Sequence, residues 1–147
     1  MTEETHQRFL EICRKVGWKC TCQRLAVYDF LYNNQTHPDV DDVWRSVRST
    51  LPAITRESVY RILNELSTNA IICRIDHIES ARYDSRTNPH GHFICEGCGM
   101  ISDFDLQAGE HFPQVTVSGK IHHMEFRMVG LCENCMKTKA VTVEKGK

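Results

Sequence analysis

The sequence predicts a mixed α/β (α+β) chain with a helical first half and a smaller second half that is rich in strands. Three observations lead to this prediction. Apolar residues recur at helical spacing before residue 70, short strand-like runs follow from residue 71, and two Cys-x-x-Cys pairs occur in the second half. The 147 residues suffice for one ordinary domain or two small ones, and 41% hydrophobic residues exclude a largely disordered chain.

Four helices are predicted in the first half, because each segment places apolar residues on one helical face. The segments are 2–16, which ends at Gly17; 23–32; 39–47, which follows Pro38; and a fourth that begins after Thr55. The fourth is the clearest, since Val59, Ile62 and Leu66 repeat at i, i+3 and i+7 and Thr55 suits the N-cap position.

Two strand-like runs, 71–75 and 81–83, surround a polar connection at 76–80 and predict a β-hairpin. Helices followed by a small hairpin are typical of a winged helix-turn-helix, in which one helix enters the major groove. The polar face of the fourth helix suits phosphate and base-edge contacts, although on these residues alone an ordinary solvated helix face is the favoured explanation. That face carries Arg56, Tyr60, Arg61 and Asn64.

A polar segment without periodicity, 85–89, ends in Pro and predicts a hinge. Strands are predicted beyond it at 92–94, 100–104 and 120–129, followed by a tail from residue 137 that frays at its end. We therefore divide the chain into a first domain at 1–84, the hinge at 85–89, and a second α/β domain at 90–147.

The charge is balanced, with 18 Lys and Arg against 19 Asp and Glu, so bulk charge does not indicate a nucleic-acid binder. The chain has no apolar run long enough to span a membrane and no secretory signal at its start. We expect a soluble, cytoplasmic protein without a membrane partner.

The two cysteine pairs predict a metal site. Cys95, Cys98, Cys132 and Cys135 form two Cys-x-x-Cys pairs, and four thiolates provide the closed tetrahedral set that structural Zn²⁺ prefers. The competing interpretation is a redox-active pair exposed at a helix N-terminus, which two pairs beside strands fit poorly. Such a closed zinc site stabilises a fold without catalysing a reaction.

A second candidate site combines imidazoles with carboxylates. His90 and His92 lie on the same side of an extended segment, Asp84 and Asp103 flank them, and His37 is remote in sequence. This mixed nitrogen and oxygen set suits Fe²⁺, Mn²⁺ or Zn²⁺. Each residue taken alone is more often an ordinary solvated side chain.

Four stretches of the chain, taken together, resemble the ferric uptake regulator (Fur) family in their order and spacing. They are His-Pro-Asp-Val-Asp-Asp-Val at 37–43, Ser-Val-Tyr-Arg-Ile-Leu-Asn at 58–64, His-Gly-His-Phe-Ile-Cys-Glu-Gly-Cys-Gly at 90–99, and Gly-Leu-Cys-Glu-Asn-Cys at 130–135. The resemblance implies an N-terminal winged-helix DNA-binding domain and a C-terminal dimerisation domain that holds the zinc knuckles.

Within that family the chain is most similar to the peroxide-sensing PerR subgroup. The resemblance implies that His37, Asp84, His90, His92 and Asp103 bind the regulatory Fe²⁺ or Mn²⁺, and that iron-catalysed oxidation modifies His37 or His90. Manganese would hold the same shape without responding to peroxide. The alternative is an iron-responsive repressor of metal uptake, although those relatives usually carry Glu at the two Asp positions.

The resemblance also implies a repressor that binds a palindromic DNA operator as a homodimer, with structural zinc as its second metal. By family position, the DNA contacts fall on Lys19, Arg56, Ser58, Tyr60 and Arg61. A zinc hydrolase or a Cys-x-x-Cys oxidoreductase is the competing class, but it would leave the predicted DNA-reading helix and wing without a role. We therefore expect a regulator rather than an enzyme.

The chain departs from its apparent relatives at several positions. It has Cys22 where most relatives have Pro, and Asn69-Ala70 where they have a Gly, so we expect Asn69 to take the left-handed conformation. The segment 106–118, expected to hold a helix, contains a Gly and a Pro and looks shortened. Cys20 and Cys22 lie near two basic residues, which leaves open a thiol-based oxidant switch or two ordinary small apolar side chains.

Overall fold

The computed structural model describes residues 2–76, 80–106, 118–120 and 125–144. The chain forms two compact units, Met1–Thr87 and Asn88–Lys147, which are described separately below. The order of helices and strands confirms the predicted mixed α/β class. Among the described residues, no helix has both the length and the apolar character that crossing a bilayer requires.

The first unit contains the predicted helices and the predicted hairpin, with ends that differ by one or two residues. The elements are α1 Glu3–Val16, α2 Cys22–Tyr32, α3 Val40–Arg48, α4 Arg56–Thr68, β1 Cys73–Ile75 and β2 Arg82–Asp84. The two strands pair antiparallel with Arg74 opposite Tyr83. Residues 77–79 of the predicted connection lie outside the described residues.

Side-chain caps fix where the helices of the first unit begin. The hydroxyls of Thr2, Thr21 and Thr55 each accept a hydrogen bond from a backbone N–H in the first turn of the helix that follows. Asp39 and Asp42 form a reciprocal capping box at the start of α3. Each such cap stabilises its helix by about 1 kcal/mol, so the sequence sets these boundaries locally.

The apolar faces of the four helices meet in one core. Phe9, Val27, Leu31 and Leu63 are at most 1% exposed, and the rings of Phe9 and Tyr28 stack with centroids 4.8 Å apart. Because α4 turns Val59, Ile62 and Leu66 inward as well, its polar face points outward. The core therefore fixes which side of α4 is available to a partner.

The end of α4 corrects one expectation. Ala70, with φ +53°, takes the left-handed conformation, whereas Asn69 has φ −92°. The N–H of Ile71 donates to the carbonyl of Leu66 at 3.0 Å and that of Ala70 to Ser67, which is a Schellman motif with Ala70 at the position that glycine prefers. Asn69 instead donates from its side-chain amide to the carbonyl of Glu65, which holds it at the preceding position.

Ala70→Gly should stabilise the first unit. The left-handed conformation costs an alanine about 1–2 kcal/mol, and glycine avoids this cost. Glycine also gives the unfolded chain more conformational entropy, which offsets the gain by about 0.4–1 kcal/mol. We therefore expect the free energy of unfolding to rise by roughly 0.5–1 kcal/mol. Urea denaturation followed by circular dichroism measures the change. Ala53→Gly is the matched control, because Ala53 is exposed in a turn without positive φ and should give no gain. Equal effects of both substitutions would contradict the strain at Ala70.

The second unit is built on a three-stranded sheet. It contains β3 His90–Cys95, β4 Ile101–Asp105, β5 Phe126–Gly130 and the helix α5 Glu133–Glu144. The strand order is β4-β3-β5, with β3 antiparallel to β4 and parallel to β5. The helix α5 was not predicted from the sequence. Its first turn contains Cys135, and Lys137 forms an ion pair with Glu133 at 2.6 Å.

Two predictions for the second half lie wholly or partly outside the described residues. Residues 107–117 of the shortened helix segment expected at 106–118 are not described. The strand predicted at 120–129 is described only from residue 125, and its observed part is β5.

Candidate metal centres and nucleic-acid surface

The two cysteine pairs meet in one cluster of the second unit. Cys95 ends β3, Cys98 closes the turn after it, Cys132 precedes α5, and Cys135 lies in the first turn of α5. Their four sulfur atoms all lie within 4.8 Å of one another, with Cys98 Sγ 3.9 Å from Cys132 Sγ. The parallel pairing of β3 and β5 produces this convergence, because it places the ends of both strands at one edge of the sheet.

Tight backbone turns bring the sulfurs this close. A side chain at Gly97 would place its Cβ 2.8 Å from Cys135 Sγ, and Gly99 has φ +71° while its N–H donates to the Cys95 carbonyl. The N–H of Cys132 donates to Cys95 Sγ at 3.2 Å. Glycine at 97 and 99 is therefore a geometric requirement of the cluster.

The thiols of the cluster differ sharply in acidity. Backbone N–H donors, first that of Cys132, lower the pKa of Cys95 to about 6 because they stabilise its thiolate. The neighbouring sulfurs, first that of Cys132, raise the pKa of Cys135 to about 12. A cluster of four thiolates therefore needs a cation to compensate its charge. The donor set and its size fit Zn²⁺ better than a redox pair, which would leave two cysteines apart from the other two.

The second unit also brings three of the predicted regulatory ligands together. His90 and His92 are two residues apart on β3, so their side chains lie on the same face of the sheet. Their Nε2 atoms are 3.0 Å apart. Asp103 pairs with His92 across the β3–β4 ladder, and its Oδ1 lies 3.6 Å from His92 Nε2 and 3.8 Å from His90 Nε2. A hydrogen bond of 2.7 Å joins His90 Nδ1 to the Asn88 carbonyl, which places the imidazole proton on Nδ1 and the lone pair on Nε2.

Gly91 lies between the two histidines because β4 leaves no room for a side chain there. A Cβ at Gly91 would come within 2.1 Å of the Phe104 ring, its partner in the ladder.

Gly91→Ala should therefore destabilise the second unit by about 1–3 kcal/mol, as overpacking does. Thermal unfolding measures the loss, and adding Phe104→Ala should remove the interference between the two side chains. Gly119→Ala is the matched control, since nothing lies within 4 Å of that position; an equal loss there would contradict the explanation.

The first unit contains the other two predicted ligands. The ligand atoms of His37 and Asp84 lie within 4.8 Å of each other, and both residues are buried. Their approach follows from the docking of β2 on the loop before α3, where the N–H of Tyr83 donates to the Pro38 carbonyl at 3.0 Å. The Arg86 N–H donates to Asp84 Oδ1 at 2.8 Å and orients that carboxylate.

His37 is held in a rare backbone conformation. Its φ is +52°, in the left-handed region, and Pro38 follows directly. Arg82 donates to the His37 carbonyl at 3.5 Å and forms an ion pair with Asp42 at 3.6 Å, which ties the loop to the start of α3. Strain of this kind costs about 1–3 kcal/mol and is concentrated at functional sites. The contribution of Arg82 was not foreseen from the sequence.

The outward face of α4 is a candidate nucleic-acid surface. Tyr60 is 47% exposed and Arg61 is exposed beside it. Arg56 instead forms a bidentate ion pair with Asp41 of α3 at 2.6 and 3.1 Å, and Ser58 shares a hydrogen bond with the N-cap residue Thr55. Tyr60 and Arg61 are thus more available to DNA than the other two predicted contacts on this helix.

A second element extends this surface. An open hollow of about 440 Å³ is lined by residues of α4 together with Trp18 and Arg24. Arg24 forms an ion pair with Glu65 of α4 at 2.8 Å, stacks on the Trp18 ring, and donates to the carbonyl of Lys19 at 3.2 Å. Arg24 therefore positions the exposed Lys19 loop beside α4. Lys19 was predicted as a DNA contact from the family resemblance, whereas this arrangement was not predicted.

Comparison with known proteins places these features in a family. The model of the ferric uptake regulator family matches residues 15–129. The "Peroxide operon regulator" of Bacillus subtilis (strain 168) is 30% identical over 132 residues, covering 87% of this chain and 91% of that protein. The "Peroxide-responsive repressor PerR" of Staphylococcus saprophyticus is 31% identical over 126 residues, covering 83% of this chain and 85% of that protein.

Solved structures show the same fold. The chain is similar to the Helicobacter pylori ferric uptake regulator Fur, described as having three functional metal binding sites, with a TM-score of 0.70, 25% identity, and coverage of 91% of this chain and 93% of that one. It is also similar to the Campylobacter jejuni peroxide stress regulator, with a TM-score of 0.64, 22% identity, and coverage of 92% and 100%.

Proposed function

Because the chain belongs to the ferric uptake regulator family, we propose that it is a metal-dependent, DNA-binding transcriptional repressor that senses peroxide. The match over residues 15–129 supports the family, and two relatives of about 30% identity are named for their response to peroxide. The same comparisons confirm the expectation of a regulator rather than a hydrolase or oxidoreductase.

Regulators of this family bind DNA and dimerise. In this chain, we assign DNA binding to the first unit, with Tyr60 and Arg61 on the exposed face of α4 and Lys19 on the loop that Arg24 positions. The second unit exposes apolar side chains on and beside its edge strand β5, including Met128 at 55% and Val129 at 49% exposure. That edge suits a symmetric homodimer, which in turn favours a palindromic operator.

Zinc in the cysteine cluster would stabilise the second unit. Cys95, Cys98, Cys132 and Cys135 supply four sulfur ligands, which leaves no open position for catalysis. This role is structural, and it keeps the second unit folded whether or not the regulatory metal is bound.

The observation that carries the regulatory proposal is that each unit holds an incomplete set of nitrogen and oxygen donors. His37 and Asp84 of the first unit lie within 4.8 Å of each other, and His90, His92 and Asp103 of the second form a similar group. Neither group alone supplies the five or six ligands that Fe²⁺ or Mn²⁺ prefers. We propose that both groups bind one ion, which links the two units and stabilises the DNA-binding arrangement.

The protein's own residues prepare this site for a response to peroxide. Fe²⁺, when bound, supplies the one-electron reduction of peroxide, whereas Mn²⁺ in the same ligands does not. The Asn88 carbonyl holds the His90 ring in the tautomer that binds through Nε2, and the Pro38 loop holds His37. The family resemblance implies that His37 and His90 are the oxidation-sensitive positions, and we propose that addition of oxygen to either ring releases the metal from the site.

Mass spectrometry tests this proposal directly. Iron-loaded protein is treated with a few equivalents of hydrogen peroxide, and each histidine oxidation should add about 16 Da. Tryptic peptide 25–45 is well suited to this measurement, because His37 is its only histidine and it contains neither Met nor Cys. In manganese-loaded protein, the control, this peptide should remain unmodified.

A binding measurement completes the test. A DNA duplex is first selected from a random library by the manganese-loaded chain. Iron-loaded protein should bind this duplex and release it when peroxide oxidises the protein. A palindromic consensus in the selected duplexes would support the symmetric dimer. DNA binding that depends on iron without any oxidised histidine would favour the iron-responsive alternative. Absence of metal-dependent DNA binding would contradict both.

A further inference from the structure

The ion pair between Arg56 and Asp41 joins the first turns of two helices. Asp41 lies in the first turn of α3, and Arg56 is the first residue of α4, directly after the capping Thr55. Arg56 Nε donates to Asp41 Oδ1 at 2.6 Å, and Nη2 donates to Oδ2 at 3.1 Å. Because the two side chains are 51% and 45% exposed, the pair adds little to stability. Its significance lies in where it holds the guanidinium.

The pair occupies only one edge of the guanidinium. Nε and one N–H of Nη2 are directed at Asp41, whereas Nη1 has no acceptor in the part of the chain that the structure describes. A second pair of parallel N–H donors, one on Nη1 and one on Nη2, therefore remains at the end of the side chain. A fork of this kind matches two adjacent acceptors on a planar partner.

Arg56 also lies where a recognition helix meets base edges. It precedes Tyr60 by one turn, so the two side chains share the exposed face of α4. In helix-turn-helix proteins, residues near the N-terminus of this helix contact bases in the major groove. Guanine presents two neighbouring acceptors there, O6 and N7, and an arginine fork binds both. The free end of Arg56 therefore has the donor pattern that guanine requires.

Asp41 prepares this fork before DNA arrives. A free arginine side chain loses much rotamer entropy when it binds, and the two oxygens of Asp41 reduce that loss because they already fix the guanidinium plane. The Arg56 guanidinium lowers the pKa of the Asp41 carboxyl, first through their hydrogen bond, so the carboxylate is charged at neutral pH. Asp41 is therefore a permanent partner of the guanidinium.

We propose that Arg56 reads a guanine in the major groove through Nη1 and Nη2, and that Asp41 is the residue that positions it. This assignment names a base that the proposed function leaves open, and it rests on that function because DNA must bind along α4. Two alternatives predict different results. A phosphate contact of Arg56 would carry no sequence information, and an Asp41 that withholds Arg56 from DNA would oppose binding to every sequence.

Selection from a random DNA library identifies the guanine. The manganese-loaded original chain and the Arg56→Ala variant each select duplexes under the same conditions. One guanine of the original consensus should become degenerate in the variant, while the rest of the consensus remains. Circular dichroism and zinc content are measured on both proteins, so that a changed preference is not confused with unfolding.

Replacing that guanine by 7-deazaguanine tests the contact at a single atom. This base keeps its pairing and O6 but has a C–H group in place of the N7 acceptor. The affinity of the original chain should fall by about tenfold, because one N–H of the charged fork is left without a partner. Arg56→Ala, which lacks the fork, should bind both duplexes equally.

The Asp41→Asn variant tests the positioning role. It keeps the size of the side chain but replaces one acceptor by an amide donor, so the preference for guanine over 7-deazaguanine should fall by about threefold. Adding Arg56→Ala should cost no more than Arg56→Ala alone, because Asp41 acts through Arg56. Glu57→Gln is the matched control, since it removes an equal charge from an exposed first-turn position of α4 and should leave the preference unchanged.

The inference is wrong if the consensus contains no guanine that depends on Arg56, or if Arg56→Ala weakens every duplex equally. It is also wrong if Arg56→Ala still distinguishes guanine from 7-deazaguanine. Tighter binding of every duplex by Asp41→Asn would show that Asp41 withholds Arg56 from DNA. Failure of the metal-loaded original chain to bind any duplex would instead contradict the proposed function.

Discussion

The His37→Ala variant should lose the metal dependence of DNA binding while its zinc cluster remains intact. His37 is the imidazole that the first unit contributes beside Asp84, so its removal leaves that unit with one carboxylate ligand. We expect manganese to strengthen DNA binding by about 100-fold in the original chain and to have little effect in the variant. Fluorescence anisotropy of the library-selected duplex during a manganese titration measures both.

A second substitution separates coordination from backbone strain. Alanine is disfavoured at the φ of +52° that His37 adopts, whereas asparagine tolerates it and is a poor substitute for imidazole as a ligand. His37→Asn should therefore preserve the loop and still lose the metal response. His6→Ala in α1 is the control for a general effect of losing a histidine. A full manganese response in both His37 variants would show that the first unit takes no part in the regulatory site.

The helical first unit could be predicted well because its signals are local. Each helix has an apolar face of the right period, and Thr2, Thr21, Asp39 and Thr55 cap their helices within three residues of sequence. The second unit was less predictable. Its sheet depends on a parallel pairing of β3 with β5 across some thirty residues of sequence, and periodicity carries no information about such long-range partners.

The end of α4 shows where local rules fail. Asparagine is the better left-handed residue, yet Ala70 occupies that position because the length of α4 and the hydrogen bond from Ile71 to Leu66 determine the register of the motif. Similarly, α5 was missed because its twelve residues lack an amphipathic pattern and begin inside a metal-binding motif.

The ligand candidates were identifiable by residue type and family resemblance, but their supports were not. Nothing in the spacing of the sequence places Arg82 at the His37 carbonyl or Arg24 at the Lys19 carbonyl. Each of these contacts depends on how a loop folds back on a helix or strand. A resemblance transfers the residues of a family's motif, whereas a departure such as Ala70 can be interpreted only in three dimensions.

The distribution of buried side chains indicates how strongly the second unit depends on its cysteine cluster. The continuous apolar core consists of residues up to Tyr83, all in the first unit. Among the described residues of the second unit, the buried apolar side chains are Ile94 and Cys95, and Cys95 belongs to the cluster itself. A unit of about sixty residues is close to the size below which cross-links, a metal or a partner are needed for stability, and the described part of this unit buries little apolar surface.

Loss of one zinc ligand should therefore unfold the second unit. In Cys98→Ser we expect less than one zinc per chain, since structural sites require all four ligands, and loss of metal-coupled folding energy on the order of 10 kcal/mol. Zinc content by elemental analysis and hydrogen exchange of β3 and β5 measure the two effects. Cys73→Ser is the matched control, because Cys73 is half-buried in the first unit, outside the cluster. Full protection of β3 in zinc-free Cys98→Ser protein would show that the sheet holds without the metal.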